Sequence, residues 1–97
     1  DETALGMLYG ALGAGVRVPD DVVITGFDDM PMAARVSPGL TTVRQPIREL
    51  AAETARQLLR AMPGPASRAP QSRVLPTELV VRRSCGCAAA RTSTKDP

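Results

Sequence analysis

Histidine and tryptophan are absent from this 97-residue sequence, and Tyr9 and Phe27 are its only aromatic residues. Without histidine, no Ser-His-Asp or Cys-His arrangement can form within the chain, and zinc sites that mix cysteine with histidine are excluded. The two cysteines, Cys85 and Cys87, fall short of the four ligands a structural zinc needs, so neither a metal nor a cofactor is expected. Neither Gly-x-Gly-x-x-Gly nor Gly-x-x-x-x-Gly-Lys occurs, and nothing supplies an activated nucleophile, so the chain is not expected to be an enzyme. No apolar run approaches the roughly 18 residues of a membrane span and no signal peptide is visible, so no membrane association is expected.

Hydrophobic residues make up 43% and charged residues 23%, the balance of a globular chain. The sequence opens on Asp1 rather than methionine, and Asp1 already reads as the cap of a helix, so further chain is expected upstream. Net charge is +2, spread unevenly: residues 1–67 hold eight acids and six bases, residues 68–97 six bases and two acids. The basic end lacks stacking aromatics and a dense Lys/Arg stripe, and is read as a solvated tail rather than a nucleic-acid surface.

Ala4, Leu5, Leu8, Ala11 and Leu12 recur at the i, i+3, i+4, i+7 spacing of one helix face, which predicts a helix over residues 2–13. The Asp1 carboxylate is expected to cap its first turn, Gly15 to end it in a left-handed conformation, and Gly6 and Gly10 read either as sites of close backbone packing or as the mark of a weak helix. Val22-Val23-Ile24-Thr25-Gly26-Phe27 reads as a strand buried on both faces, ending in Asp28-Asp29. One or two helical turns are expected over residues 30–36 and a short strand over 41–45. Ile47, Leu50, Ala51, Thr54, Ala55, Leu58, Leu59 and Met62 form a single core-facing stripe, with Arg48, Glu49, Glu53, Arg56 and Arg60 on a solvated opposite face. Residues 63–72 read as a loop and 74–81 as two short extended pieces interrupted by Pro76. Helix, turn and buried strand in this order is the rhythm of a parallel α/β sheet, yet these elements are too few to close a core.

Asp28-Asp29 lies where open α/β sheets place their ligand crevice, outside the carboxyl end of a strand. One of the two acids is expected to face a ligand, against the plainer reading that both cap the turn. Cys85-Gly86-Cys87 is read as two reduced thiols, because a bond between residues two apart is strained and the redox spacing in α/β proteins is Cys-x-x-Cys.

The series Asp1-x-x-Ala4-x-Gly6, Gly15-Val16-Arg17-Val18-Pro19-Asp20-Asp21-Val22, Gly26-Phe27-Asp28-Asp29, Pro38-x-Leu40-Thr41-Thr42-Val43-x-Gln45-Pro46 and Leu75-Pro76-Thr77-Glu78-Leu79-Val80-Val81-Arg82-Arg83-Ser84 resembles the C-terminal part of lactose-repressor/galactose-repressor (LacI/GalR) type transcriptional regulators. The resemblance covers residues 1–84 in order. It implies an α/β fold, part of a two-lobed, periplasmic-binding-protein-like (type I) domain with parallel sheets, whose N-terminal half and helix-turn-helix DNA-binding domain lie outside this sequence. Residues 1–44 then belong to the C-terminal lobe, 45–76 to the crossover and a helix on the N-terminal lobe, 77–84 to the return, and 85–97 to a disordered tail. Arg44, Gln45, Pro46, Pro76 and Thr77 become hinge positions. Asp1, Asp28 and Ile47 become effector-binding positions, the aliphatic Ile47 standing where some members place an aromatic against the ligand.

The function this implies is binding of a small-molecule effector, most naturally a sugar, by a cytoplasmic regulator that reaches operator DNA through the domain outside this chain. Effector binding would reorient the lobes and so bias the DNA-binding domains. A homodimer is expected, with Leu5, Leu8, Leu12, Met32 and Val36 at the interface. The alternatives are an extracytoplasmic sugar-binding protein of the same fold, or a fragment of an α/β enzyme.

Overall fold

A computed structural model describes residues 1–87. Helix α1, Glu2–Gly13, follows the apolar spacing, with Ala4, Leu5 and Leu8 buried. Asp1 is its N-cap through the backbone, its carbonyl accepting the Leu5 N–H at 2.7 Å, but its side chain makes no capping bond. The expected carboxylate cap is therefore corrected: that group is used elsewhere. The helix ends as expected, with Gly15 at φ +76° and the Val16 N–H returning to the Ala11 carbonyl at 2.9 Å. Among the described residues a Cβ at Gly6 or Gly10 would meet nothing within 4 Å, so nothing described packs closely on either glycine.

The core of this unit joins Ala4, Leu5, Leu8, Val18, Ile24, Ala33 and Leu40, with Ala11 and Val36 packed at its margin. Helix α2, Pro31–Arg35, contributes Ala33. Residues 22–26 carry one isolated bridge, at Thr25, rather than the strand buried on both faces expected over 22–27. Ile24 is 5% exposed, whereas Val23 and Phe27 on the opposite side are 58% and 49% exposed. The reason lies in the pairing: the segment has a single parallel bridge, Thr25 with Thr41, and bonds from Gly26 N–H to Thr41 (2.9 Å) and Asp28 N–H to Val43 (2.8 Å). Only one of its faces meets α1 and α2. Strand β1, Thr42–Arg44, pairs antiparallel with β2, Glu78–Val80, in the register Thr42 to Val80, Val43 to Leu79 and Arg44 to Glu78.

The chain divides into two units, residues 1–44 with 78 onward, and residues 45–77. The second is built on helix α3, Ile47–Ala61. Its apolar stripe is not covered within this unit: Ile47, Leu50, Leu58 and Leu59 are 42–67% exposed. The polar side is also unlike the solvated face expected, because Glu53 is the buried residue of α3. An extended stretch folds back beside it, with the Arg68 N–H on the Arg60 carbonyl and the Gln71 N–H on the Gln57 side chain, both at 2.7 Å. Glu53 then accepts from Arg56 (3.1 Å), Gln57 (3.2 Å) and Arg73 (3.0 Å). Gln57 foremost, with Arg73 and Arg56, holds its carboxyl below the usual range against the opposing effect of burial.

Of the tail expected over residues 85–97, residues 85–87 continue a turn in which the Gly86 N–H reaches the Arg83 carbonyl at 3.0 Å. Residues 88–97 lie outside those described.

Candidate functional site

Where the extended segment ends, the chain turns through two consecutive left-handed residues, Asp28 at φ +114° and Asp29 at φ +53°. Asp tolerates this region better than most L-residues, since its short polar side chain can bond locally. The turn separates the two acids. Asp28 is exposed on the surface of the first unit, its backbone fixed by Val43. Asp29 points inward, its side chain 9% exposed, and accepts from Arg44 Nε and Arg82 Nη2, each at 2.7 Å. Arg82 is itself only 18% exposed and also donates to the Leu40 carbonyl at 2.8 Å. Arg44 reaches on to Glu78 at 3.3 Å, linking the paired ends of β1 and β2. Burial works to raise the pKa of the Asp29 carboxyl, but hydrogen bonds from Arg82 and Arg44 and their charges outweigh it, leaving it below the usual range.

Asp1 completes this frame. Its carboxylate accepts the Met30 N–H at 2.6 Å and the Thr42 hydroxyl at 2.5 Å, and its backbone nitrogen donates to the Phe27 carbonyl at 2.6 Å. Thr42, 1% exposed, receives the Asp29 N–H at 3.3 Å on the same oxygen. Asp1 thus holds the turn carrying Asp28. Behind it, the fully buried Ser84 hydroxyl accepts from Thr41 N–H (2.9 Å) and donates to the Ile24 carbonyl (2.6 Å), while Arg82 N–H reaches the Thr41 hydroxyl at 2.8 Å.

The frame leaves no room at Gly26. A Cβ there would overlap Asp1 Oδ1 and lie 3.0 Å from Leu40 Cδ2 and 3.2 Å from the Asp1 Cα. Gly26→Ala is expected to displace Asp1 from Thr42 and Met30 and to cost about 1–3 kcal/mol, the range for overpacking a filled site. Urea unfolding of the full polypeptide checks this; an unchanged midpoint would show that Asp1 moves without cost.

The sequence-predicted positions fare differently. Asp1 and Asp28 are brought to the same turn. Ile47 opens α3 in the second unit and is 55% exposed. Arg44 is the last residue before the chain leaves the first unit, Gln45 accepts the Ile47 N–H at 2.9 Å, Pro46 caps α3, and Pro76 and Thr77 precede β2. Leu5 and Leu8, expected at a dimer interface, are 9% and 0% exposed and belong to the core of their own unit, and Val36 packs against that core while staying partly exposed. The stripe of α1 joins Ile24, Ala33 and Leu40 in that core, and of the expected interface positions Leu12 and Met32 remain exposed, at 40% and 43%. Sequence reasoning missed Asp29 as an ion-pair centre and passed over Thr42, Arg82 and Ser84, whose partners lie 13 to 60 residues away. Among the described residues no group of three or more potential metal ligands exists, and no helix is long and apolar enough to cross a membrane.

Residues 1–85 match the family described as periplasmic binding protein-like domain. Over 84 residues the chain is 45% identical to the HTH-type transcriptional regulator DegA of Bacillus subtilis, covering 87% of this chain and 25% of that protein. Among solved structures it is similar to a LacI family transcriptional regulator from Enterococcus faecalis with bound ribose, at 39% identity and a TM-score of 0.77, covering 87% of this chain and 31% of that one. It is also similar to the lac repressor dimer bound to operator and an anti-inducer, at 29% identity and a TM-score of 0.75, covering 88% of this chain and 25% of that one. The chain spans about a quarter of the length of the curated relatives it matches. These likenesses carry the type I periplasmic-binding-protein-like fold expected from the motifs. The bridge between Thr25 and Thr41, with the bonds from Gly26 and Asp28, is its parallel pairing as this chain holds it. The chain belongs to the periplasmic binding protein-like domain family, in the form carried by LacI-type transcriptional regulators.

Proposed function

We propose that this chain is the effector-binding part of a cytoplasmic transcriptional regulator, and that it takes a sugar or related polyol through the Asp28 carboxylate. The observation that carries the reading is the placement of Asp28. It stands exposed where the extended segment ends, in a turn whose backbone is tied to Val43 and braced by Asp1 and Thr42. A carboxylate presented in this way accepts from ligand hydroxyls, and fixing it in advance lowers the entropy cost of binding. The ribose in the Enterococcus faecalis relative and the regulator names of the relatives favour this reading over an extracytoplasmic binding protein or an enzyme.

Arg44, Gln45, Pro46, Pro76 and Thr77 serve as hinges in this proposal, supported by the chain leaving the first unit after Arg44 and returning to it at Glu78. An effector with different affinities for two lobe arrangements shifts their populations, and operator affinity follows by linkage. Ile47 is retained as an apolar contact of the effector.

The test is calorimetric titration of the full polypeptide against a panel of pentoses, hexoses and disaccharides. Asp28→Asn is expected to weaken the sugar that binds by roughly ten- to hundredfold, from the about 1.5–3 kcal/mol of a charged hydrogen bond, with operator affinity in its absence unchanged. Equal affinity of variant and parent would return Asp28 to a capping role.

A further inference from the structure

Cys85 and Cys87 follow directly on the buried Ser84, and their geometry differs from that of two unrelated thiols. Gly86 between them has φ +74°, and its N–H closes a turn onto the Arg83 carbonyl at 3.0 Å. Two consecutive Cα steps of about 3.8 Å cannot part the flanking Cα atoms by more than about 7.6 Å, and a bend at the glycine shortens this toward the roughly 4.4–6.8 Å that a disulfide spans. Within the turn the sulfurs face each other's residues. The Cys87 N–H donates to Cys85 Sγ at 3.2 Å, and the Cys87 thiol folds back onto the Cys85 carbonyl at 3.7 Å. Cys85 is half-buried and Cys87 exposed, so a small oxidant has access to the pair.

We propose that Cys85 and Cys87 form a hydroperoxide-reactive dithiol that closes to an intramolecular disulfide across the Gly86 turn. The Cys85 thiolate attacks one peroxide oxygen, the O–O bond breaks, and the departing hydroxide takes up a proton to leave as water. The resulting sulfenic acid on Cys85 is attacked by the Cys87 thiolate, the S–S bond forms, and the hydroxyl departs as a second water. Two thiols lose two electrons and two protons, and one hydrogen peroxide becomes two waters. Burial acts to raise the pKa of the Cys85 thiol, but hydrogen bonds involving Cys87 and Thr41 outweigh it and hold it below the usual thiol range, which favours Cys85 as the attacking residue. The strain of linking residues two apart, which speaks against a permanent structural bond, suits a reversible one, because strained and exposed disulfides are the readily reduced ones.

The experiment exposes the reduced full polypeptide to a small molar excess of hydrogen peroxide, blocks remaining thiols with an alkylating reagent, and reads the tryptic peptide spanning residues 84–91 by mass. The expected peptide is unalkylated, two hydrogens lighter than the reduced form, and regains both alkylation sites after dithiothreitol. In Cys87→Ser, the sulfenic acid should persist and be captured on Cys85 by a dimedone-type reagent. Two alkylated cysteines after peroxide, a bond joining two polypeptides, or a dimedone adduct that forms on Cys87 in Cys85→Ser while none forms on Cys85 in Cys87→Ser would each overturn the proposal.

Discussion

Asp29→Ala is expected to destabilise the full polypeptide by about 3–4 kcal/mol at neutral pH. The carboxylate is 9% exposed and its partner Arg82 18%, so removing the acid leaves a largely buried guanidinium whose remaining acceptor among the described residues is the Leu40 carbonyl. Breaking a buried pair from one side costs roughly 3–5 kcal/mol, whereas the half-exposed Arg44 contact adds a few tenths at most. Alanine also fits poorly at φ +53°, where asparagine is at home, so Asp29→Asn should lose less, about 2 kcal/mol. The same group predicts an acid limit. Because the folded protein holds this carboxyl below its unfolded value, its contribution is full above the unfolded value of about 3.9 and is lost as pH falls below it through the lowered folded one. Urea unfolding at pH 7 and pH 3 should show parent and Asp29→Asn converging in acid; equal stability at pH 7 would mean that the arginines find water as readily as Asp29.

Leu5→Asp is expected to abolish cooperative folding rather than merely to weaken association. Leu5 is 9% exposed on the face of α1 that meets Leu8 and Ile24's cluster, and a carboxylate buried there without a partner costs several kcal/mol, a large share of a domain's net stability. The homodimer expected from the family resemblance is better probed from the outer positions. Leu12→Asp and Met32→Asp replace side chains that are 40% and 43% exposed, so each should keep the parent melt to within about 0.5 kcal/mol and, where the proposed homodimer uses this surface, shift sedimentation toward the monomer. A native melt for Leu5→Asp would contradict its burial. An unchanged dimer in both outer variants would place the interface elsewhere.

The helices were legible in the order of residues because helical periodicity is written within a few positions. The spacing from Ala4 to Leu12 marked α1, that from Ile47 to Met62 marked α3, and Gly15 marked where the first one stops. Family motifs carried the fold and brought Asp28 forward. What the order of residues left open was decided between segments distant along the chain. Asp29 became the ion-pair centre because Arg44 and Arg82 approach it from 15 and 53 residues away, and Ser84 became a buried knot because Ile24 and Thr41 converge on its hydroxyl. Glu53, on what reads as a solvated face, was enclosed by Arg73 returning along α3. Leu5 and Leu12 share one apolar pattern, yet only the first is buried. Local spacing tells which side chains share a face, while burial and charge pairing depend on what the rest of the chain brings against it.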